Sequence, residues 1–368
     1  MTSTARKPAG TALKRGWTTG ACATAATRAA YTAWLTGEFP DPVTITLPKG
    51  QQPAFALARE SLANGFAEAG IIKDAGDDPD VTHGALIVVR VSDGPPGSGV
   101  TFAAGPGVGT VTKPGLPIPA GEPAINPVPR RMMCAVVEEL AAEHAHSGDV
   151  VIEISIPDGA SLAAKTWNPR LGIVGGLSIL GTTGVVIPYS CAAWIHSIHR
   201  GVDVALATGL THVAGCTGST SELAVQRLYG LGDGAMLDMG DFAGGMLKYL
   251  RQHPVPRLTI GGGFGKLSKL AAGHLDLHSG RSQVDTDRLL AELDLICPGT
   301  RERAMSSDAS MPTSAGAILQ FAGPDAARLA ERTARQARDV AVAQLRNDMQ
   351  VDVVIVDRAG TIIGQSDA

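Results

Sequence analysis

Apolar and polar positions follow two different rhythms along the chain. In the first half, helical and strand-like stretches are mixed. Ala21–Leu35 is rich in alanine, with Arg28 its only charge. Thr18 or Thr19 can cap it and Gly37 can end it, which predicts a helix. Val43–Leu47 and Ala54–Ala58 predict strands around a Pro-Lys-Gly turn, and Gly84–Val91 predicts a buried strand. Arg130–His144 predicts a helix and Val150–Ile156 a strand. Before them Gly94–Pro129 is dense in Gly and Pro, too long for a passive connection. In the second half strand-like and helical runs alternate. Val202–Ala207 precedes a Gly/Ser/Thr turn and a helix over Ser221–Leu228. Ala235–Met239 precedes a helix over Phe242–Arg251, and Arg257–Ile260 precedes GGGFGK and a helix over Leu267–Ala272. Asp285–Leu295 and Pro324–Asn347 read as helices, and Val351–Asp357 as a closing strand. Such alternation predicts a parallel sheet with crossovers and an α/β fold class, with ligands at the carboxyl ends of strands.

A chain of 368 residues favours two domains. The composition changes near Ser161–Asn168, giving domains over residues 12–165 and 166–368. Net charge is −4 and aromatic residues make up 4%, so neither a basic stripe nor a stacking platform invites nucleic acid. Five scattered cysteines without a CxxC pair argue against a zinc site and a disulfide framework. The first residues are positive but have no apolar core of a signal peptide, and a cytoplasmic protein is expected. Leu171–Ile195 is uncharged, yet its glycines and Pro188 break it into strand-length pieces rather than a membrane span.

Four stretches could carry chemistry. Ile260–Ser268, IGGGFGKLS, follows a strand and opens a helix. It fails the phosphate-loop pattern, because Ile260 stands where the first glycine belongs and Leu267 follows Lys266. It also fails G-x-G-x-x-G. A glycine turn at a helix start remains, and Gly261, Gly262, Gly263 and Gly265 are candidates for a cofactor's polar end. Lys73–Gly84, KDAGDDPDVTHG, packs Asp74, Asp77, Asp78 and Asp80 before His83. Metal-ligand spacing is absent. Asx-type turn chemistry and a site loop both stay open. His212 with Cys216, and His274 with His278, lie four apart. Neither pair has a third ligand nearby, so both read as loop residues.

GWTTGACATAA (Gly16–Ala26), KDAGDDPDVTHG, GPGVGTVTKPGLPIPAGEPAINPVPRRMM (Gly105–Met133) and IPDGASLAAKTWNPRLGIVGGLSILGTTGVVIPYS (Ile156–Ser190) are long and distinctive. MGDFAGGMLKY (Met239–Tyr249), GKLSKLAAGHLDLHS (Gly265–Ser279) and GTRERA (Gly299–Ala304) follow in order. With these blocks the chain resembles the CbiD family, the cobalt-precorrin-5B C1-methyltransferases of oxygen-independent cobalamin synthesis. Asp158 and Asp241 stand where that family usually has Asn. The resemblance implies an α+β first domain and a Rossmann-like second one. It implies S-adenosylmethionine as cosubstrate and a ring-contracted tetrapyrrole as acceptor, with cobalt present only as part of that substrate. Methylation at C-1 would convert cobalt-precorrin-5B to cobalt-precorrin-6A. A tetrapyrrole carrier without chemistry is the alternative. No nucleic acid or membrane partner is expected, and self-assembly and transient contacts with neighbouring pathway enzymes are left open.

The acceptor is edged with carboxylates, so cations must grip it. Within the matching blocks these are Lys113, Arg130, Arg131, Lys165, Arg170 and Arg301, and Thr18 and Thr19 are placed with them as substrate contacts. Methyl addition leaves a positive charge on the ring that loss of a proton relieves. Asp74, Asp77 and His83 are the candidate bases. The aspartates would repel a polyanion, so Asp78 is assigned to the cofactor. A carboxylate against the sulfonium itself would stabilise the ground state more than the transition state.

Overall fold

Alanine decides how closely the first helix lies on its sheet. In the computed structural model, which describes residues 13–306, 311–346 and 348–366, that helix spans Thr19–Thr36. The Thr18 hydroxyl accepts from the Ala21 N–H, and Gly37 closes the helix at φ 85°. The alanines from Ala21 to Ala33 are fully buried. Side chains this short bring backbone close to backbone and lose no rotamer freedom. The buried hydroxyls of Thr24 and Thr27 donate to Gly20 O and Ala23 O, 2.8 Å each, so neither is orphaned.

The chain divides into two units, Met1–Ser190 and Cys191–Ala368. The division lies beyond the composition change at Ser161–Asn168, because residues 173–186 complete small sheets of the first unit. The first unit holds a five-stranded sheet in the order Arg59–Ala63, Phe66–Ile72, Leu86–Asp93, Val150–Ser155, Val100–Ala104. Only the last pairing is parallel. The crossover it requires carries the helix Pro127–Glu143. Val150, Ile152 and Ile154 alternate into the core, which both helices share. Arg28 forks onto Glu139 between the helices at 2.9 and 2.8 Å.

The Gly/Pro blocks build a backbone crossing. Gly107–Val108 pairs in parallel with Gly176–Leu177. A Cβ on Gly176 would lie 2.1 Å from the Gly107 carbonyl oxygen, and one on Gly159 2.2 Å from it. Three chain segments meet there at distances that only glycine permits.

The second unit is α/β, as expected. Its sheet runs Met236–Leu237, His212–Cys216, Arg257–Gly263, Gln350–Val356, Ile362–Gln365. The first four strands are parallel and the last antiparallel. Helix Ala326–Leu345 covers one face, with Leu329, Ala330, Ala334, Ala337 and Ala341 buried.

Several expectations need correction. Val202–Ala207 is the end of a helix over Cys191–Ala207, and its alternation is accidental: Ile198, Val202 and Ala205 share one buried face. The strand is His212–Cys216, which the sequence reading left as loop. Strands Arg59–Ala63, Phe66–Ile72 and Val100–Ala104 were not anticipated. Leu171–Ile195 contributes short strands and the start of a helix. Among the described residues no helix is long and apolar enough to cross a membrane.

One polar cluster is centred on the buried Asp352 and Thr259 of the second sheet. Asp352 accepts from Arg257 Nε at 3.0 Å, Thr259 Oγ1 at 3.0 Å and Tyr229 Oη at 2.6 Å. The single Thr259 hydroxyl proton goes to Asp352. His212 Nε2, 2.8 Å from that hydroxyl, must therefore be the donor in its contact. Burial, then the charge of Arg257, hold the His212 imidazole below its ordinary pKa. The folded protein thus binds this proton less readily than the unfolded chain. The stability this provides is present above about pH 6.5 and is lost as the pH falls through the folded pKa. His212→Gln should flatten that acid limb in melting curves, and an unchanged limb would refute the assignment.

Candidate functional site

The aspartate loop is held by its own side chains. Asp74 Oδ1 accepts from Gly76 N at 2.8 Å and its Oδ2 from Lys14 Nζ at 2.6 Å. Those bonds, that of Lys14 first, hold the Asp74 carboxyl below the usual carboxylate range. Asp77 Oδ2 accepts from Lys14 N at 2.7 Å, and Asp78 Oδ1 from Tyr189 N at 2.8 Å. Asp80 takes the Thr82 hydroxyl at 2.6 Å and pairs with Lys73 at 2.6 Å, where the lysine side chain is 1% exposed. Burial raises the Asp80 carboxyl, but the charge and hydrogen bonds of Lys73, with those of Thr82, outweigh it and leave the group below its ordinary value.

His83 is exposed, and its Nδ1 accepts from Ala75 N at 3.1 Å. In the neutral ring Nε2 then carries the hydrogen, so the outward nitrogen is a donor. The loop sits directly on residues 14–16. A Cβ on Gly16 would lie 2.1 Å from Ala75 C, and one on Gly76 2.2 Å from Lys14 O.

The other first-unit candidates separate by what they already hold. Thr18 caps the first helix. Thr19 Oγ1 donates to Leu180 O at 3.2 Å and accepts from Leu180 N at 2.9 Å, so it fastens the residue that leads into the Gly-Thr-Thr-Gly segment. Arg130 donates to Ile125 O at 2.9 Å and Pro123 O at 3.1 Å and reaches Glu122 at 3.2 Å. Lys113 Nζ lies 3.5 Å from Arg170 O, and the Arg170 guanidinium stacks on Trp167 at 4.5 Å. Lys165 is exposed, as is Arg131. Arg301 belongs to the helix Thr300–Ser306 of the second unit, and its side chain lies outside the described residues. Leu180, bonded to the helix start, and Tyr189, bonded to Asp78, are 49% and 66% exposed, and Ile187 between them in the chain is 54% exposed.

In the second unit the glycine turn starts later than the sequence suggested. Gly261 and Gly262 are buried ladder residues opposite Val354 and Ile355. They have no side chain because Cys216, Val225 and Thr217 leave no room, a Cβ meeting them within 2.9 Å. Gly263 ends the strand and caps the helix Phe264–Ala271. Gly263 and Gly218 are open: a Cβ on Gly263 would find its nearest neighbour 4.0 Å away, and one on Gly218 none within 4 Å.

The chain leaves His212–Cys216 toward the edge strand Met236–Leu237, whereas it leaves Arg257–Gly263 toward Gln350–Val356. Between these central strands the winding reverses, and open parallel sheets bind ligands at such a point. Lys266 lies there. Its Nζ donates to Thr217 O at 3.2 Å and pairs with Asp241 Oδ1 at 2.8 Å. Gly240 N bonds Cys216 O at 3.0 Å and packs under the half-exposed ring of Trp194. Open backbone beside one cation and one carboxylate fits a ligand with a charged polar end. Sequence reasoning had the glycines but not Thr217, Gly218 or the Asp241–Lys266 pair, because the strand before Thr217 was misplaced. The signal was present in HVAGCTGST, which repeats the strand–glycine–helix order of RLTIGGGFG. Among the described residues no group of three or more His, Cys, Asp or Glu is arranged to hold a metal ion.

Comparison with known proteins gives this geometry a family. The CbiD family model matches residues 6–188. A cobalt-precorrin-5B C(1)-methyltransferase of Brucella anthropi is 59% identical over 96% of this chain and 95% of its own. That of Paramagnetospirillum magneticum is 58% identical over 96% and 98%. The crystal structure of a cobalamin biosynthesis protein (CbiD) from Archaeoglobus fulgidus is 28% identical, with a TM-score of 0.40 over 71% of this chain and 80% of that one. With identity of this level over nearly its whole length, the chain belongs to the CbiD family.

Proposed function

We propose that this chain methylates C-1 of cobalt-precorrin-5B with S-adenosylmethionine as donor, giving cobalt-precorrin-6A, as a cytoplasmic enzyme of anaerobic-type cobalamin synthesis. The observation that carries the reading is 58–59% identity, over 96% of the chain, to relatives bearing that name. The donor supplies an electrophilic methyl group. The residues that would hold it are those at the winding reversal: Thr217–Gly218, Gly240–Asp241 and Gly263–Lys266. For the carboxylates of the acceptor, exposed Lys165 and Arg131 are the candidate cations. Lys113, Arg130 and Arg170 serve first to shape the loops around it. Of the candidate bases, Asp74 is tied to Lys14 and weakened by it, and His83 presents an N–H. Asp77, whose Oδ2 accepts from Lys14 N at 2.7 Å, is the carboxylate we assign to the proton.

The protein's main task is to hold two reactants in line and exclude water. Incubation of the purified protein with S-adenosylmethionine and cobalt-precorrin-5B should add one methyl group to the macrocycle by mass spectrometry. Tight macrocycle binding with no change in mass is the result a carrier would give. Asp77→Asn should slow turnover about a hundredfold, the low end for loss of a general base, with donor affinity unchanged.

A further inference from the structure

The polar groups at the winding reversal come as a pair of opposite charges, and that pairing narrows what they can bind. Lys266 and Asp241 lie 2.8 Å apart, with side chains 40% and 21% exposed. Lys266 also holds the Thr217 carbonyl at 3.2 Å, which ties the ends of the two central strands together. The surrounding backbone at Gly218 and Gly263 is open on the side where a side chain would otherwise stand. Trp194 lies over Gly240, its indole N–H donating to Asp238 O at 2.8 Å and its ring 45% exposed.

A lone anion on Lys266 would face the Asp241 carboxylate, and a lone cation on Asp241 would face the Lys266 ammonium. Either would set like charges side by side at partly buried groups, which is costly. A zwitterion avoids that cost. Its carboxylate can take Lys266 while its ammonium takes Asp241, so both charges keep an opposite partner. Lysine supplies a point charge with several donors, which allows it to keep the Thr217 carbonyl while accepting a carboxylate.

We infer that the Asp241–Lys266 pair is the clasp for the zwitterionic amino-acid end of the donor, with Lys266 on its α-carboxylate and Asp241 on its α-ammonium. The open backbone at Gly218 and Gly263 gives the rest of the molecule its way in. This inference rests on the reading that the chain uses S-adenosylmethionine, and it goes further by assigning which end of the donor these residues hold.

Calorimetric binding to the full chain tests it with two probes. S-Adenosylhomocysteine has the amino-acid end, and 5′-methylthioadenosine lacks it. Lys266→Met should weaken S-adenosylhomocysteine roughly tenfold or more, as expected for loss of a bond to a charged group, and leave methylthioadenosine unchanged. Gly263→Ala places a methyl where nothing lies closer than 4.0 Å, so it should fold normally and weaken both probes. It keeps the test informative should Lys266→Met fail to fold. Equal losses of both probes in Lys266→Met would overturn the clasp. Wild-type affinity for S-adenosylhomocysteine in both variants would overturn the clasp and leave the donor reading intact. A wild-type chain that binds neither probe would overturn the donor reading itself.

Discussion

Asp80→Ala should destabilise the first unit by about 3 kcal/mol, and Lys73→Met should cost much less. The asymmetry comes from burial. The Lys73 side chain is 1% exposed and that of Asp80 25%. Removing the carboxylate leaves an ammonium inside the protein with no countercharge, and burial makes that expensive. Removing the ammonium leaves a carboxylate that still accepts from Thr82 N and Oγ1 at 2.8 and 2.6 Å and can reach water. The double variant Asp80→Ala/Lys73→Met should therefore recover much of the loss of Asp80→Ala alone. Denaturant titration of all three variants measures this, and equal losses for the two single changes would refute it. The same pair sets an acid limit. Because the Asp80 pKa is lowered in the folded state, its contribution is present above about pH 4 and is lost as the pH falls through the folded value.

Asp352→Ala should cost the second unit a comparable amount, about 2–4 kcal/mol. Asp352 is 0% exposed and receives three side-chain donors. Without it, the Tyr229 and Thr259 hydroxyls lose their acceptor and Arg257 loses its countercharge. Arg257 is 28% exposed and can turn partly toward water, which sets the lower end of the range. Asp352→Asn keeps an acceptor oxygen and should fall between the two. The melting transition of the second unit reads the loss. The first unit shares none of these bonds, so the Lys73–Asp80 measurements should be unaffected.

How much of this was legible in the sequence depended on the kind of signal. Helices with clear caps read well: Thr18 and Gly37 bracket the first helix as the letters suggest. Buried parallel strands read poorly, since VAGC between Thr211 and Thr217 has neither alternation nor length. VDVALA has both, and it lies in a helix. The long Gly/Pro stretch reads as more than a passive connection, and it includes a sheet strand and, at Gly107, one side of the crossing with Gly159 and Gly176. Those contacts join segments far apart in the chain, and no local window contains them. The aspartate loop was weighed as turn or site, and its bonds supply the turn chemistry. The partners of those bonds, Lys14 and Tyr189, could not be found from spacing. The Asp241–Lys266 pair was hidden for the same reason, although both residues lay within stretches already singled out.

The short strand Gly16–Trp17 has a consequence for the order of assembly. It pairs with Val185–Val186, while Trp17 N bonds Asp74 O, Thr18 N bonds Gly184 O and Gly20 N bonds Leu180 O. Residues 16–20 are thus fastened by the last stretch of the first unit. On the ribosome, the helix Thr19–Thr36 emerges early but lacks the segment that holds its amino end until residues 180–186 have been made. Closing so long a loop adds little to its entropy cost, which grows only with the logarithm of length, but it makes the contact a late one. Vectorial synthesis therefore delivers the aspartate loop and the helix start as separate pieces, and the last stretch of the first unit brings them together.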